Sequence, residues 1–446
     1  MQRLYEPQAY SAGSLAGCYW PDTVTQAPEP RGEGEITADV AVVGAGFTGL
    51  SAALHLAEAG ADVVALDAQR LGWGASGRNG GFCCLGGSMA AEKTLIRRHG
   101  AADVALWHKA QRASVELVAE LLERHGISAD THSRGETMLA HRPRDMAALQ
   151  AEADHLKRAH GLHAAVIGKA ALAENGMNSD AFHGALTAPV GFALNPLKYL
   201  LGLAKAARGA GARLFGDSPV NAIKPSDSGE GFTLSTPKAR VYARRLILAT
   251  NGYSSDDIPN WMAGRYMPVQ SNIIVTRPLS GAEIAAQGWS SGQMAYDSRE
   301  LLHYFRLMPD RRFLFGMRGG LKATQAQSAH MQRQIRADFS RMFPAWANVD
   351  ITHFWSGLVC ILRALTPFTG SLGNWNGAYA GFGWHGNGVA MGSYSGALLA
   401  DLALGRAPRR PYPDLMKTPP RRFPLGRNRR ILMAPVYRWL ELKDRE

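Results

Sequence analysis

A short β-branched run, Asp39-Val40-Ala41-Val42-Val43, leads without a break into Gly44-Ala45-Gly46-Phe47-Thr48-Gly49. Leu50, Ala53, Leu54 and Ala57 then recur at helical spacing, and Gly60 suits a helix stop. Val63-Val64-Ala65-Leu66 is a second apolar run, closed by Asp67. Few folds accommodate that order: a buried parallel strand, a glycine turn, a close-packed helix and a second strand ending in an acid open a doubly wound sheet. Each glycine has a reason. Gly44 permits the tight turn, Gly46 lets backbone approach a pyrophosphate, and Gly49 lets the helix pack against the strand, with the helix N-terminus facing the anion. Asp67 stands 23 residues after Gly44, where a carboxylate accepts ribose hydroxyls. The unit reads as a dinucleotide site, since a glycine turn without ligand leaves Asp67 unexplained. The almost uncharged stretch from Val40 to Ala57 has the length of a membrane span, but its glycines and His55 fit a strand followed by a helix.

A second polar glycine-rich loop, Gly74-Ala75-Ser76-Gly77-Arg78-Asn79-Gly80-Gly81, begins seven residues past Asp67. It offers more ligand contact than half a nicotinamide site needs, and its N–H groups suit phosphate and ribityl oxygens, which favours FAD over NAD. At the far end of the chain Trp355-Ser356-Gly357-Leu358-Val359 opens a strand. The cluster Gly383-Trp384-His385-Gly386-Asn387-Gly388-Val389 then runs toward a helix from about Ser393 to Leu404, stopped by Gly405. This second glycine-to-helix junction is another place to stabilise negative charge. Two junctions so far apart in the chain predict one domain built from both ends with another inserted between. Asn195-Pro196 starts a helix through about Arg208. Gly135–Ala140 reads as a strand, and Asn272–Thr276, Leu302–Arg306 and Phe313–Gly316 read as strands of an antiparallel sheet. The fold class is therefore α/β (α+β): a Rossmann-type FAD-binding domain with an inserted substrate domain on an antiparallel sheet. The expected division is an N-terminal arm (1–35), a discontinuous FAD-binding domain (36–95, 186–255 and 352–405), a substrate-binding domain (96–185 and 256–351) and a basic C-terminal tail (406–446).

Charge enters the argument only through that tail. The 446 residues carry a net +12, yet Gly405 to Glu446 alone hold 12 Lys and Arg against 4 Asp and Glu. The catalytic body is nearly balanced, so the basic excess does not call for nucleic acid as a partner. The tail is expected to lie across its own body or a neighbouring subunit, with contact to a membrane surface as the sharper alternative. Cys18, Cys83, Cys84 and Cys360 form neither a disulfide framework nor a metal-type spacing, and no metal site is expected. The first residues lack an apolar signal core, so a reducing cytoplasm is the expected compartment.

Val42 to Gly49, Gly74 to Gly81, Leu248-Ala249-Thr250-Asn251-Gly252-Tyr253 and Gly383 to Val389 together resemble the D-amino-acid oxidase superfamily of FAD-dependent amine oxidoreductases. Within it the Gly-Ala-Ser-Gly-Arg-Asn-Gly-Gly loop and the Trp355-x-Gly357 to Pro367 spacing are similar to the branch acting on gamma-glutamylated amines. The resemblance implies FAD and hydride transfer to flavin N5 from a small primary or secondary amine, with oxygen or a quinone taking the electrons. It implies cofactor contacts at Gly44, Ala45, Gly46, Phe47, Thr48, Gly49, Asp67 and Ala68, and along the second loop at Gly74, Ala75, Ser76, Arg78, Asn79, Gly80 and Gly81. Further contacts are implied at Val220, Thr250, Asn251 and Gly252, and at Gly383, Gly386, Asn387, Gly388 and Val389.

Noncovalent FAD is favoured. Arg78 and Asn79 occupy the place of a flavin-linked histidine, and Cys360 lies seven residues before Pro367 rather than the six of a flavin-linked cysteine. Ala390 stands where sarcosine oxidases carry a lysine, which argues against sarcosine as substrate. Trp384 and His385 are candidates for the substrate side of the flavin. Tyr304 and Arg318, with Tyr253, His303 and Arg306, are candidates from the inserted sheet, and Arg363, four before Pro367, for a carboxylate. Alternation separates His303 and Phe305 from Tyr304 and Arg306 but leaves open which face meets the flavin. Alternative functions are a tRNA wobble-base-modifying flavoenzyme, a dehydrogenase subunit passing electrons to a quinone or partner, and a non-enzymatic flavin scaffold, which intact flavin motifs disfavour.

Overall fold

The structure is a computed structural model and describes residues 1–226 and 230–445. Its first unit is the expected one: strand β1 (Gly34–Val43), helix α1 (Phe47–Glu58) and strand β2 (Val63–Leu66). β1 starts earlier than its apolar run because it pairs in parallel with Ala239–Leu248 from Gly34 onward. The sheet around it has eight strands. Its main path runs Phe368–Ser371, Ala378–Phe382, Ala239–Leu248, β1, β2, Arg213–Phe215, all parallel except the first pair. Phe232–Ser235 and Ala222–Pro225 extend antiparallel from the first half of Ala239–Leu248.

Every residue of α1 from Phe47 to Ala57 is buried, because helices Pro196–Gly209 and Ala390–Ala403 flank it. The contact with Ala390–Ala403 is made backbone to backbone. A Cβ on Gly396 would lie 2.3 Å from Thr48 O and 2.7 Å from Ser51 Cβ, while the Ser51 hydroxyl donates to Ser393 O at 2.7 Å. The second helix therefore begins at Ala390 and not near Ser393. Gly392, poor as a helix former, is used because Thr48 Oγ1 and Trp384 Nε1 would stand 3.2 and 3.3 Å from any Cβ there. The other helix start is as expected: the Asn195 side chain accepts from Leu197 and Lys198 N–H ahead of Pro196.

The second sheet also has eight strands, in the order Ile351–Ile361, Met267–Thr276, Phe313–Arg318, His303–Leu307, Met294–Asp297, Glu136–Leu139, Gly184–Ala188, Ala165–Gly168. Its pairs are antiparallel apart from Met294–Asp297 with Glu136–Leu139. One face carries Phe305, Phe313 and Phe315 against Phe339, Phe343 and Trp346, and helix Gln325–Met342 covers it. The other face turns to the nucleotide domain. A Cβ on Gly80 would sit 2.9 Å from Tyr304 Cε2, and one on Gly81 2.7 Å from Arg306 Nη2. The ambiguity left by alternation is thereby resolved in favour of the Tyr304 and Arg306 face. Sheet membership differs from the expected division at two edges. Residues 352–361 and 186–188, expected in the FAD-binding domain, pair within the second sheet, a long-range choice that their local patterns do not encode.

The basic tail folds back on its own chain. Helix Met433–Arg445 is tied to the second domain where the Asp444 carboxylate accepts from Glu300 and Leu301 N–H and where Lys443 pairs with Glu300. Arg430 stacks 3.8 Å from the Tyr5 ring centroid and bonds Leu4 O and Leu321 O, fastening the N-terminal arm. Arg429 is fully buried, with its guanidinium forked onto Asp256 at 2.7 and 2.8 Å and its Nε–H donating to Tyr266 O. No helix among the described residues is long and apolar enough to cross a membrane.

Arg429→Ala leaves the Asp256 carboxylate buried without its counter-charge. It is expected to cost about 3–5 kcal/mol in denaturant unfolding, and a change under about 1 kcal/mol contradicts this reading of the lock.

Candidate functional site

Because α1 and Ala390–Ala403 pack on one another, their N-termini open on one cleft between the two sheets. It encloses about 1360 Å³ of unfilled space, its open mouth included. The first junction is built from close contacts. Gly44 has φ +96°, and a Cβ on Gly49 would sit 1.9 Å from Gly44 O, so only glycine lets the helix start where it does. Phe47 N–H donates to Ser76 Oγ at 3.0 Å, which brings the second glycine loop over the helix start. Asp67 Oδ2 accepts from Ala45 N–H at 2.9 Å and Oδ1 from Gln69 N–H at 3.1 Å. Burial pushes this carboxyl above the usual range, opposed by those N–H groups.

Gly44, Ala45, Gly46, Phe47 and Thr48 border the cleft, as do Asp67 and Ala68 at the end of β2. Gly74, Ala75, Ser76 and Asn79 line it from the second loop, and Val220, Thr250 and Asn251 from neighbouring strand ends. Trp384, His385, Gly386 and Gly388 close it at the second junction. The remaining candidates shape the walls. Gly80 and Gly81 admit the Tyr304 and Arg306 side chains, Gly252 packs on Leu358, and Gly383, at φ +85°, has no room beside Leu362. The Asn251 side chain accepts from Gly383 N–H at 3.0 Å, tying that turn to the second junction. Asn387 Nδ2 donates to Leu85 O at 2.8 Å, and Val389 is the buried residue before the helix.

Arg78 is placed elsewhere than expected. Its guanidinium donates to Trp73 O, Ser14 O and Ser356 O, stacks on Trp73 and does not border the cleft. A buried guanidinium needs several acceptors, and loop carbonyls supply them here. Asn79 likewise spends its amide on Ala75 O and Ser76 O, and its Oδ1 accepts from Gly81 N–H.

His385 borders the cleft with both ring nitrogens engaged. Nδ1 lies 2.9 Å from Gly87 O, so it carries the proton, and Nε2 accepts from Leu362 N–H at 3.1 Å. Burial lowers its pKa to about 4, so the ring is neutral at physiological pH. Trp384 is buried and forms an apolar wall. Arg318, at the end of its strand, reaches the same turn: Nη2–H donates to His385 O at 3.4 Å, its one hydrogen bond among the described residues. The Tyr304 hydroxyl pairs with Ser271 Oγ at 2.8 Å. Arg363 is exposed and donates to Arg422 O of the tail, so it faces away from the cleft. Arg306 points toward Leu194 O and the His132 ring. His303 lies on the aromatic face, between Asp297 at 2.9 Å and Asp338 at 3.3 Å.

Sequence reasoning missed part of the cleft. Arg3 borders it, stacks 4.4 Å from the Tyr10 ring centroid, and keeps a buried Nε without a hydrogen-bond partner. Nothing near Arg3 in the chain signals this, since the arm reaches the cleft only through the tertiary fold. Trp73, Ser254, Leu358 and Cys360 line it as well. The unpartnered Arg3 Nε, the glycine cradle and Asp67 together fit an anionic dinucleotide.

A family model described as FAD dependent oxidoreductase matches residues 39–402. The chain is 32% identical over 412 residues to gamma-glutamylputrescine oxidoreductase of Escherichia coli, spanning 92% of this chain and 93% of that protein. It is also 32% identical over 422 residues to a probable oxidoreductase of Rhizobium meliloti, again 92% and 93% of the two chains. Among solved structures, iminodiacetate oxidase from Chelativorans superposes with a TM-score of 0.69 at 21% identity, over 86% of this chain and 100% of that one. Glycine oxidase from Geobacillus kaustophilus gives 0.67 at 20% identity, over 84% and 96%. These two likenesses are of fold.

The buried ion network makes stability depend on pH. Asp297 and Asp338 raise the His303 pKa from 6.5 to about 9 against the effect of burial. The stabilisation is complete below 6.5, where His303 is protonated folded or unfolded, and is lost as pH rises through 9. Unfolding stability is expected to fall over that window in the parent chain, and a His303→Gln variant is expected to lack most of the slope.

Proposed function

The chain belongs to the FAD dependent oxidoreductase family, and from that premise we propose that it oxidises the C–N bond of a small amine that carries a carboxylate, as gamma-glutamylated amines do. The observation that carries the reading is a single cleft that joins both glycine-to-helix junctions, with the sparsely bonded Arg318 next to Gly386 and His385 of its lining. FAD is the cofactor, and when bound it supplies the acceptor for a hydride from the carbon beside the amine nitrogen.

Asp67 and the N–H groups around Gly46 would hold its nucleotide half, and the unpartnered Arg3 Nε suits its phosphates. The N-terminus of Ala390–Ala403 favours negative charge at the second junction. His385 takes no proton there, because one ring nitrogen already donates and the other already accepts. The amine must therefore arrive neutral, and kcat/KM is set by the amine's own titration rather than by this imidazole. Trp384 excludes water from one side. Arg318 is half-buried beside Gly386 with most of its N–H groups unspent, and it replaces Arg363 as the carboxylate partner.

Attachment of the flavin is proposed to be noncovalent. Cys360 borders the cleft, but it packs among Met262, Tyr266 and Leu362, and burial pushes its thiol far above neutrality, away from the nucleophilic thiolate.

Anaerobic mixing with a panel of amines is expected to bleach the flavin fastest with carboxylate-bearing amines, and an oxygen pulse then reports whether oxygen is the acceptor. Acid precipitation is expected to release the yellow colour, and colour retained on the protein contradicts noncovalent binding. Arg318→Ala is expected to raise KM for an acidic amine by about one to two orders of magnitude and to spare simple monoamines. Equal effects on both classes sink the assignment.

A further inference from the structure

Away from the cleft, three helices bring four imidazole and carboxylate side chains to one point. Glu92 opens helix Glu92–His99, His108 lies in Ala101–Arg124, and His155 and His160 lie in Asp145–His160. Glu92 Oε2 is 3.1 Å from His155 Nδ1 and 3.4 Å from His108 Nε2, and the three atoms all fall within 4.8 Å of one another. The His160 ring stands beside them, its centroid 5.1 Å from that of His108 and 6.1 Å from that of His155.

The contacts are close, yet they are not hydrogen bonds. Glu92 Oε2 is buried without a hydrogen-bond partner, and so is Nδ1 of His160, a residue only 6% exposed. A buried carboxylate oxygen left without a hydrogen bond is costly unless something positive lies beside it.

The two spacings to Glu92 fit a particular filling. With bonds of about 2.0–2.1 Å from a tetrahedral ion to nitrogen and oxygen, neighbouring ligand atoms are about 3.3 Å apart. Imidazole nitrogen with carboxylate oxygen suits zinc-type ions, whereas magnesium and calcium prefer oxygen alone. We propose that Glu92, His108 and His155 form a site for a divalent transition-metal ion of the zinc type, with water in the fourth position. None of the three borders the cofactor cleft, so the ion is structural: it pins the short Glu92–His99 helix to Asp145–His160 across the helix between them. Cysteine spacing could not reveal it, because the ligands come from three separate helices.

The test uses the FAD-loaded full chain, stripped with a chelator and dialysed against zinc sulfate. Retention of about one zinc per chain through gel filtration is expected, with His108→Ala and His155→Ala retaining less than about a tenth of that. Exposed His330→Ala is the control and is expected to match the parent. Circular dichroism and bound flavin establish that the variants fold. Should a variant not fold, cobalt added to the stripped parent is read instead, and intense visible bands of a four-coordinate ion are expected. Failure of the parent to retain zinc, equal retention by His155→Ala, or absence of those cobalt bands overturns the proposal.

Discussion

One contact fixes the rest of this molecule: the backbone approach of α1 to helix Ala390–Ala403. Gly396 lies against Thr48 and Ser51 with no space for a side chain, and the Ser51 hydroxyl bonds Ser393 O. Two helices held at that distance present their N-termini to one place. The strands feeding them must then lie in one sheet, with β1 and Ala378–Phe382 on either side of Ala239–Leu248. Chain segments from opposite ends of the sequence become one site, and the second sheet is left to form the other wall through Leu358, Val359 and Cys360 of its edge strand.

The βαβ unit was legible in the sequence because its rules are local. Gly44, Gly49 and Asp67 serve a turn, a close packing and a strand end within about two dozen residues, and Asn195 caps a helix from the adjacent position. What was not legible depends on partners far along the chain. Arg78 and Asn79 had the right chemistry for a ligand, but loop carbonyls nearer at hand took their donors. Arg363 has the expected spacing from Pro367, yet the path of its loop carries it out to Arg422. Arg318 became a candidate of weight only once the sheet brought it to His385 O, and no local pattern assigns Ile351–Ile361 to the second sheet. His385 shows the same limit in another form. Its residue type fits acid–base work, and only its two hydrogen bonds remove it from that role.

The basic tail was the feature most open to misreading. Its charge looked like a surface waiting for a polyanion. Instead Arg429 neutralises a buried acid, Arg409 pairs with Asp401, Arg410 with Glu120, and Arg430 grips the N-terminal arm. Much of that charge serves cohesion within the chain.

The Arg429–Asp256 lock also has an order in time. Asp256 emerges from the ribosome long before the guanidinium that neutralises it, and both domains precede Arg429 in the chain. Domains fold as they are made, N-terminal parts first. Until the tail arrives, the Asp256 carboxylate has to stay hydrated, and the arm bearing Arg3 has no clasp from Arg430. Burial of Asp256 and fastening of the arm are thereby deferred until the segment around Arg429 and Arg430 has been made.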